Sequence, residues 1–414
     1  MSRSTVNAPP VLSDDVVERA FVDADALRDA WSSAAALEPA ALRVEQDASD
    51  APSALVRLVS LLGERGLLGL VVPAAYGGTY PEVRSVPLCL ARERLGYSSP
   101  LVELAFAMQA LGSYPITARG SDSLKERYLP RVAAGEAVAA FALTEEDAGS
   151  DLSRMRTSAT LTPDGYVLRG KKIFISNAGI AHFYVVFAVT TPEAAGAKLR
   201  LSAFVIDAEA PGLTTRPQHV LGGHPIGEVV LEDVRVPLAA RIGPEGAGMS
   251  IALETLHKLR PTVGAAALGM GQRALSEALG HVRTREQFGA PLSELQAVQM
   301  SLADMACELE AARLLVYRAA AVADVVAQLR AQNGHEAPAD RARVAKTGSM
   351  AKLMATEAAF RVIDRAVQLH GGRGVETTGM PARLYEDIRA LRIYEGASDV
   401  QRLLIARALL ERGL

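Results

Sequence analysis

Phe141-Ala142-Leu143-Thr144-Glu145-Glu146-Asp147-Ala148-Gly149-Ser150-Asp151 is where the chain changes character. An apolar strand runs here into hydroxyls, acids and a glycine. Upstream, from Val16 to Ala139, apolar residues recur at steps of three and four, as in Leu55, Leu58, Leu61 and Leu62, which keeps them on one face of a helix. Helices are expected over residues 88–95, 105–118 and 123–133, and the Gly- and Pro-punctuated stretch from Gly66 to Gly78 interrupts them. Downstream, Tyr166-Val167-Leu168 and residues 183–189, 201–206 and 229–231 are short β-branched or aromatic runs that predict strands. Pro163-Asp164-Gly165 predicts the turn of a hairpin, proline presetting one dihedral and glycine accepting a positive one.

From Gly248 the helical period returns, most clearly in Leu295, Val298, Leu302, Met305, Leu309, Ala312 and Val316. A loop is expected over residues 331–337, around Asn333-Gly334, before a helix over 346–368. The patterning therefore predicts a mixed, mainly α protein. Its expected parts are a flexible N-terminus (1–20), an N-terminal helical domain (21–139), a central β domain (140–245) and a C-terminal helical domain (246–414).

A length of 414 residues exceeds what one hydrophobic core sustains, in keeping with several packed units. The net charge of −3 supplies no field for nucleic acid or an anionic membrane surface. Cys89 and Cys307, far apart and without a CxxC, encode neither a disulfide framework nor a cysteine metal site, which suits a reducing cytoplasm. Residues 1–15 are polar and acidic, unlike a signal or transit peptide, and no apolar run is long enough to span a membrane.

Several chemistries find no support. GxGxxG, a Walker loop, GxSxG and HExxH are all missing, and the seven histidines lack paired ligand spacing, so no metal is expected. For the 141–151 segment, local physics leaves two readings open: a strand end with a polar turn, or hydroxyls and backbone N–H groups that bind a flavin edge and a pyrophosphate.

That segment resembles the Leu-Thr-Glu-Pro-x-Ala-Gly-Ser-Asp signature of the acyl-CoA dehydrogenase family. Four further stretches agree in order. Gly170-Lys171-Lys172-Ile173-Phe174-Ile175-Ser176-Asn177 is similar to the family's Gly-x-Lys-x-Trp-Ile-Thr-Asn segment, and Arg285-Glu286-Gln287-Phe288-Gly289 to its Arg-x-x-Phe-Gly element. Gln368-Leu369-His370-Gly371-Gly372-Arg373-Gly374 resembles its Gln-x-x-Gly-Gly-x-Gly loop, and Tyr394-Glu395-Gly396-Ala397-Ser398-Asp399-Val400-Gln401-Arg402 its Tyr-Glu-Gly-Thr-x-x-Ile-Gln-Arg motif.

The resemblance implies a helical N-terminal domain, a central β-sandwich or barrel and a C-terminal four-helix bundle, assembled as a homotetramer around FAD. It places Phe141, Leu143, Thr144, Ser150, Phe174 and Ser176 along the flavin and its pyrophosphate, with Ala397 and Asp399 near the ring. Arg285 and Phe288 would meet the ADP half across a dimer interface, beside Gln368, Gly371 and Gly372. Glu395 would be the base that takes the α-proton of an acyl thioester while the β-hydride passes to FAD. Leu259, where some branches of the family carry their base, leaves Glu395 alone in that role. Ser150, Leu256, His257, Arg260, Tyr394 and Gly396 would meet the substrate.

Four positions depart from the family pattern: Glu146 for proline, Phe174 for tryptophan, Ala397 for threonine and Asp399 for glutamine or glutamate. His257 stands where an acid or amide is expected, which keeps open an acyl group on a carrier protein as well as acyl-CoA. A plain helix-face histidine is the other reading. The competing functions are an oxygen-using acyl-CoA oxidase, a flavin monooxygenase, which would need no α-proton base, and a non-catalytic flavoprotein. An electron-transfer flavoprotein is the acceptor that the resemblance implies. Phe106, Met108 and Leu111 would shorten the acyl pocket, or else belong to the core.

Overall fold

The computed structural model describes residues 24–190, 200–333 and 337–412. The expected flexible N-terminus lies outside them.

The N-terminal part consists of α1 (Ala24–Asp47), α2 (Ala51–Glu64), α3 (Ser85–Ser98), α4 (Pro100–Arg119) and α5 (Asp122–Ala133). At the start of α2, Asp50 accepts from the Ser53 N–H at 2.8 Å and Ser53 Oγ accepts in return from the Asp50 N–H, satisfying donors that a helix start leaves free. Leu55, Leu58 and Leu62 fill the buried face and Leu61 packs at its margin, as the spacing predicts. The helix stops at Gly66, whose φ of 73° lies in the left-handed region, and the chain continues in 3-10 turns over Leu67–Leu70 and Ala74–Tyr76.

The middle part is one eight-stranded sheet: β1 (Ala139–Ala142), β2 (Ser158–Thr162), β3 (Gly165–Ser176), β4 (Phe183–Val189), β5 (Leu201–Asp207), β6 (Leu213–Pro217), β7 (Ile226–Val236) and β8 (Arg241–Ile242). Strand order is β6-β7-β3-β2-β4-β5-β8, with β1 parallel to β4. The halves β6-β7-β3-β2 and β4-β5-β8 join through a single parallel pair, Ser158↔Val189. Tyr166 and Leu168 from one half share a buried cluster with Val186 and Phe204 from the other, and the Tyr166 and Phe204 rings lie 4.9 Å apart. The predicted hairpin is present: Thr162 pairs with Gly165 across Pro163-Asp164.

The C-terminal part is built on α6 (Gly248–Thr284), α7 (Gln296–Asn333), α8 (Pro338–His370), α9 (Met380–Leu391) and α10 (Ser398–Arg412), with a small hairpin of β9 (Glu286–Gln287) and β10 (Ala290–Pro291) after α6. Of the predicted stripe, Leu295 precedes α7, Leu302 is half-buried and Val298, Met305, Leu309, Ala312 and Val316 are buried; the helix runs on to Asn333, past the start of the expected loop at 331, and residues 334–336 of that loop lie outside the described residues. Small residues explain how the helices pack with so few aromatics. A Cβ at Gly269 of α6 would stand 2.0 Å from the Glu93 carbonyl of α3, so glycine permits the close approach. No described helix is long and apolar enough to cross a membrane, and no metal-holding group of three or more His, Cys, Asp or Glu occurs among the described residues.

Candidate active site

The 141–151 signature leaves β1 and folds back on itself through reciprocal backbone hydrogen bonds between Glu145 and Ala148. Glu145 holds the loop in place: its carboxylate accepts from Lys172 Nζ at 2.8 Å, the Arg156 N–H at 2.7 Å and the Thr157 N–H at 3.0 Å. Lys172 is fully buried and also donates to the Leu143 carbonyl at 3.1 Å. Burial pushes the Lys172 ammonium down to about 8 against the pull of Glu145. On Glu145 burial acts upward, but Lys172 and the surrounding donors win and hold its carboxyl below the usual range. Neither residue was singled out from sequence. The available signal was strand alternation, since Lys171 and Lys172 must face opposite sides of β3 and one of them must turn inward.

Beyond Lys172 the β3–β7 register shifts, leaving Ile173 and Phe174 unpaired with β7. Ile173 N–H donates instead to the Thr144 carbonyl at 3.0 Å, tying strand to signature loop. Phe174 takes a positive φ of 54° and exposes 54% of its surface. Thr144 is thus tied to the strand that carries Phe174 and Ser176, Phe141 and Leu143 pack in the core cluster shared with the N-terminal helices, and Ser150 is exposed on the signature loop.

A second group forms where α6 and α8 end. The rings of His281 and His370 stack at 4.4 Å, so the end of α6, which Arg285 follows, lies against the end of α8, which carries Gln368 and is followed by Gly371 and Gly372. Burial lowers the His281 imidazole, helped by the charges of His370, Arg373 and Arg285. Phe288, at the tip of the β9–β10 hairpin, is 94% exposed. A Cβ at Gly371 or Gly372 would meet nothing within 4 Å. Open backbone, exposed aromatic rings and a concentration of cationic side chains fit a cofactor with a planar ring and an anionic pyrophosphate.

The third group is the turn between α9 and α10. Glu395 has φ 52° and Gly396 φ 95°, consecutive left-handed residues. Lys352 of α8, fully buried, donates to the Tyr394 carbonyl at 3.1 Å and the Gly396 carbonyl at 2.8 Å, and Gln401 Nε2 donates to the latter at 2.8 Å. Glu395 Oε2 is buried without a hydrogen-bond partner. Burial raises the Glu395 carboxyl above its ordinary range, aided by Glu103 and opposed by Arg92, Lys352 and Arg260. A carboxylate stripped of water and of donors is a stronger base than one in solvent.

Arg92 of α3 binds Glu103 of α4 in a buried pair and donates to Thr262 Oγ1 of α6 at 2.7 Å. Arg260 reaches Ser349 only at 3.4 Å and leaves its buried Nε unpartnered. Leu256 and His257 lie on α6 just before Arg260, and burial, then Arg260 and Arg341, push the His257 imidazole down to about 4. The Asp324 carboxylate joins Lys258 to the first N–H groups of α3, a cap supplied from α7. Ala397 is half-buried beside Gly396, and Asp399, exposed, pairs with Arg402.

A cavity of about 170 Å³ adjoins this turn, lined by Leu101, Glu103, Leu104, Met270, Asp387 and Tyr394 among others. Burial, then Glu386 and Glu45, push the Asp387 carboxyl up to about 7. Phe106, Met108 and Leu111 do not line it; they sit in the core of the N-terminal helices. A larger groove of about 880 Å³ between α1, α3, α6 and α7 contains none of the residues of these three groups.

Comparison with known proteins gives three successive domain matches: "Acyl-CoA dehydrogenase, N-terminal domain" over residues 23–136, the middle domain over 140–234 and the C-terminal domain over 246–410. The chain is 36% identical to the cyclohexane-1-carbonyl-CoA dehydrogenase of Geobacter metallireducens over 357 residues, 86% of this chain and 89% of that one. Among solved structures it is similar to butyryl-CoA dehydrogenase from Megasphaera elsdenii, with TM-score 0.81, 33% identity and coverage of 93% and 98%. It is also similar to an acyl-CoA dehydrogenase of Bacillus anthracis complexed with FAD, with TM-score 0.81, 29% identity and coverage of 98% and 68%. With FAD as its cofactor, this chain belongs to the acyl-CoA dehydrogenase family of oxidoreductases.

Proposed function

We propose that the chain oxidises an acyl thioester between its α and β carbons, with Glu395 as the base. The observation that carries this is the Glu395 carboxylate itself, whose Oε2 is buried without a partner and which is flanked by three cations. An α-hydrogen beside a thioester is a very weak acid, so its removal needs a base strengthened by desolvation. Burial raises the Glu395 carboxyl, and Arg92, Lys352 and Arg260 oppose that rise by favouring the ionised form. As Glu395 takes the α-proton, the β-hydrogen leaves with its electron pair and a trans-2-enoyl thioester remains. FAD, when bound, supplies the acceptor for that hydride.

Thr144, Ser150, Phe174 and Ser176 are proposed to border the flavin. Arg285, Phe288, Gln368, Gly371 and Gly372 are proposed to hold the ADP half of FAD belonging to a second copy in a tetramer, and the 94% exposure of Phe288 in the single chain supports that reading. The cavity volume supports a short acyl group. His257, its imidazole lowered to about 4 by burial and then by Arg260 and Arg341, offers no carboxylate to a phosphopantetheine arm, so a carrier-protein thioester stays beside acyl-CoA as a source.

The test is anaerobic absorbance of the FAD-loaded protein against short acyl-CoA thioesters and the same acyl groups on a phosphopantetheinylated carrier, repeated with Glu395→Gln. Bleaching by wild type alone, with flavin retained in both, is expected. Failure of every thioester, free or carrier-bound, would refute the reading. Equal bleaching by Glu395→Gln would remove Glu395 as the base. Reoxidation by an electron-transfer flavoprotein rather than by air separates a dehydrogenase from an oxidase.

A further inference from the structure

A left-handed residue other than glycine is strained, and it persists where its surroundings over-determine it. Glu395 is such a residue, and Gly396 after it is left-handed as well, so the backbone turns sharply at the base. The carbonyls of Tyr394 and Gly396 converge on one atom, Lys352 Nζ, at 3.1 and 2.8 Å. We propose that Lys352 is the positioning residue for the base: its ammonium grips the backbone on both sides of Glu395 and so sets where the carboxylate stands. This rests on Glu395 being the base.

A lysine with no exposed surface is costly to bury, so its place here calls for a reason. A neutral amide can donate to these carbonyls, as Gln401 does to that of Gly396, but it brings no charge. Only a tetrahedral ammonium offers three donors from one point, enough to bridge both carbonyls and keep a charge facing Glu395. The charged and titratable groups around the pair are Arg92 from α3, Glu103 from α4, Arg260 from α6, Glu357 from α8 and Tyr394 on the turn itself. Among these Lys352 alone joins electrostatic contact with the base to hydrogen bonds on both flanking carbonyls.

The experiment compares FAD-loaded wild type with Lys352→Met and Lys352→Arg, measuring bound flavin per chain, thermal midpoint, and kcat and KM across pH. Displacing a base by a fraction of an ångström to an ångström slows its step on the order of 100-fold, so kcat per bound flavin should fall by about that factor in Lys352→Met. KM should stay within about threefold, because the lost interaction acts on the transition state. The acid limb of kcat/KM should move to higher pH in Lys352→Met, since a charge that favoured ionised Glu395 is gone. Lys352→Arg should keep the limb in place while still lowering kcat, since the bulkier guanidinium, with its donors fixed in one plane, cannot take the ammonium's place between the two carbonyls without moving them. Should Lys352→Met load no flavin, Lys352→Arg alone decides. A kcat per flavin within about threefold of wild type in either flavin-loaded variant overturns the proposal. An acid limb that stays in place in flavin-loaded Lys352→Met also overturns it. If Glu395→Gln abolishes turnover while these variants keep it, only the role of Lys352 falls; if Glu395→Gln is fully active, the reading of Glu395 falls first.

Discussion

Glu145→Gln should show how far one buried carboxylate holds the cofactor loop. In the wild type it accepts three donors at 2.7–3.0 Å, one of them the ammonium of a fully buried lysine. The amide keeps the shape but loses the charge and one acceptor, leaving Lys172 buried beside a neutral group. Breaking a buried pair by removing one partner costs about 3–5 kcal/mol. The loss is bounded because Lys172 can shed its proton. Its ammonium, already lowered to about 8 with Glu145 present, falls further without it.

The sign of the pH dependence follows from that. Lys172 binds its proton more weakly in the folded chain than in the unfolded one, so the burden of burying it is full below pH 8 and is relieved as pH rises from about 8 toward its ordinary value. The ion pair that the substitution destroys exists only while Lys172 is charged. The Glu145→Gln penalty should therefore be large at pH 7 and small at pH 9.5. Denaturation of the FAD-loaded protein, followed by circular dichroism and by the fluorescence of released flavin, measures both. A penalty below about 1 kcal/mol at pH 7, or one that grows toward pH 9.5, would refute the reasoning.

Three further outcomes are expected. Gly396→Ala places a Cβ 2.3 Å from Gln401 Nε2 at a φ of 95°, so stability should drop by about 1–3 kcal/mol and activity with it; calorimetry and turnover check this, and Gln401→Ala should return only the steric part. Arg92→Leu and Glu103→Leu should each destabilise by about 3–5 kcal/mol, while the double variant loses clearly less than their sum; additive losses in a denaturation cycle would contradict a buried pair. His257→Asn should change KM and leave the pH profile between pH 5.5 and 8 untouched, because an imidazole lowered to about 4 is neutral throughout that range; a pH-rate series decides it.

Patterning in the sequence was enough to predict the alternation of helix, sheet and helix, because burial on one face imposes a period of 3.6 or 2 whatever the tertiary contacts. The Leu55–Leu62 face, the 183–189 strand and the Pro163-Asp164 hairpin are all where local physics puts them. The ordered motifs carried the family, and with it FAD and Glu395 as a candidate. Patterning did not yield β6, an exposed edge strand with no apolar alternation, and it started the loop after α7 at residue 331, two residues before the last described residue of that helix, Asn333.

What surrounds Glu395 was decided by tertiary structure alone. Arg92, Glu103, Arg260 and Lys352 come from α3, α4, α6 and α8, up to 303 residues from the base in the chain (395 minus 92), and none carries a local signal of its neighbours. The same is true of Lys172 and Glu145, 27 residues apart. A charge's effect depends on distance and on the water excluded between the groups, and both are properties of the folded packing rather than of sequence spacing.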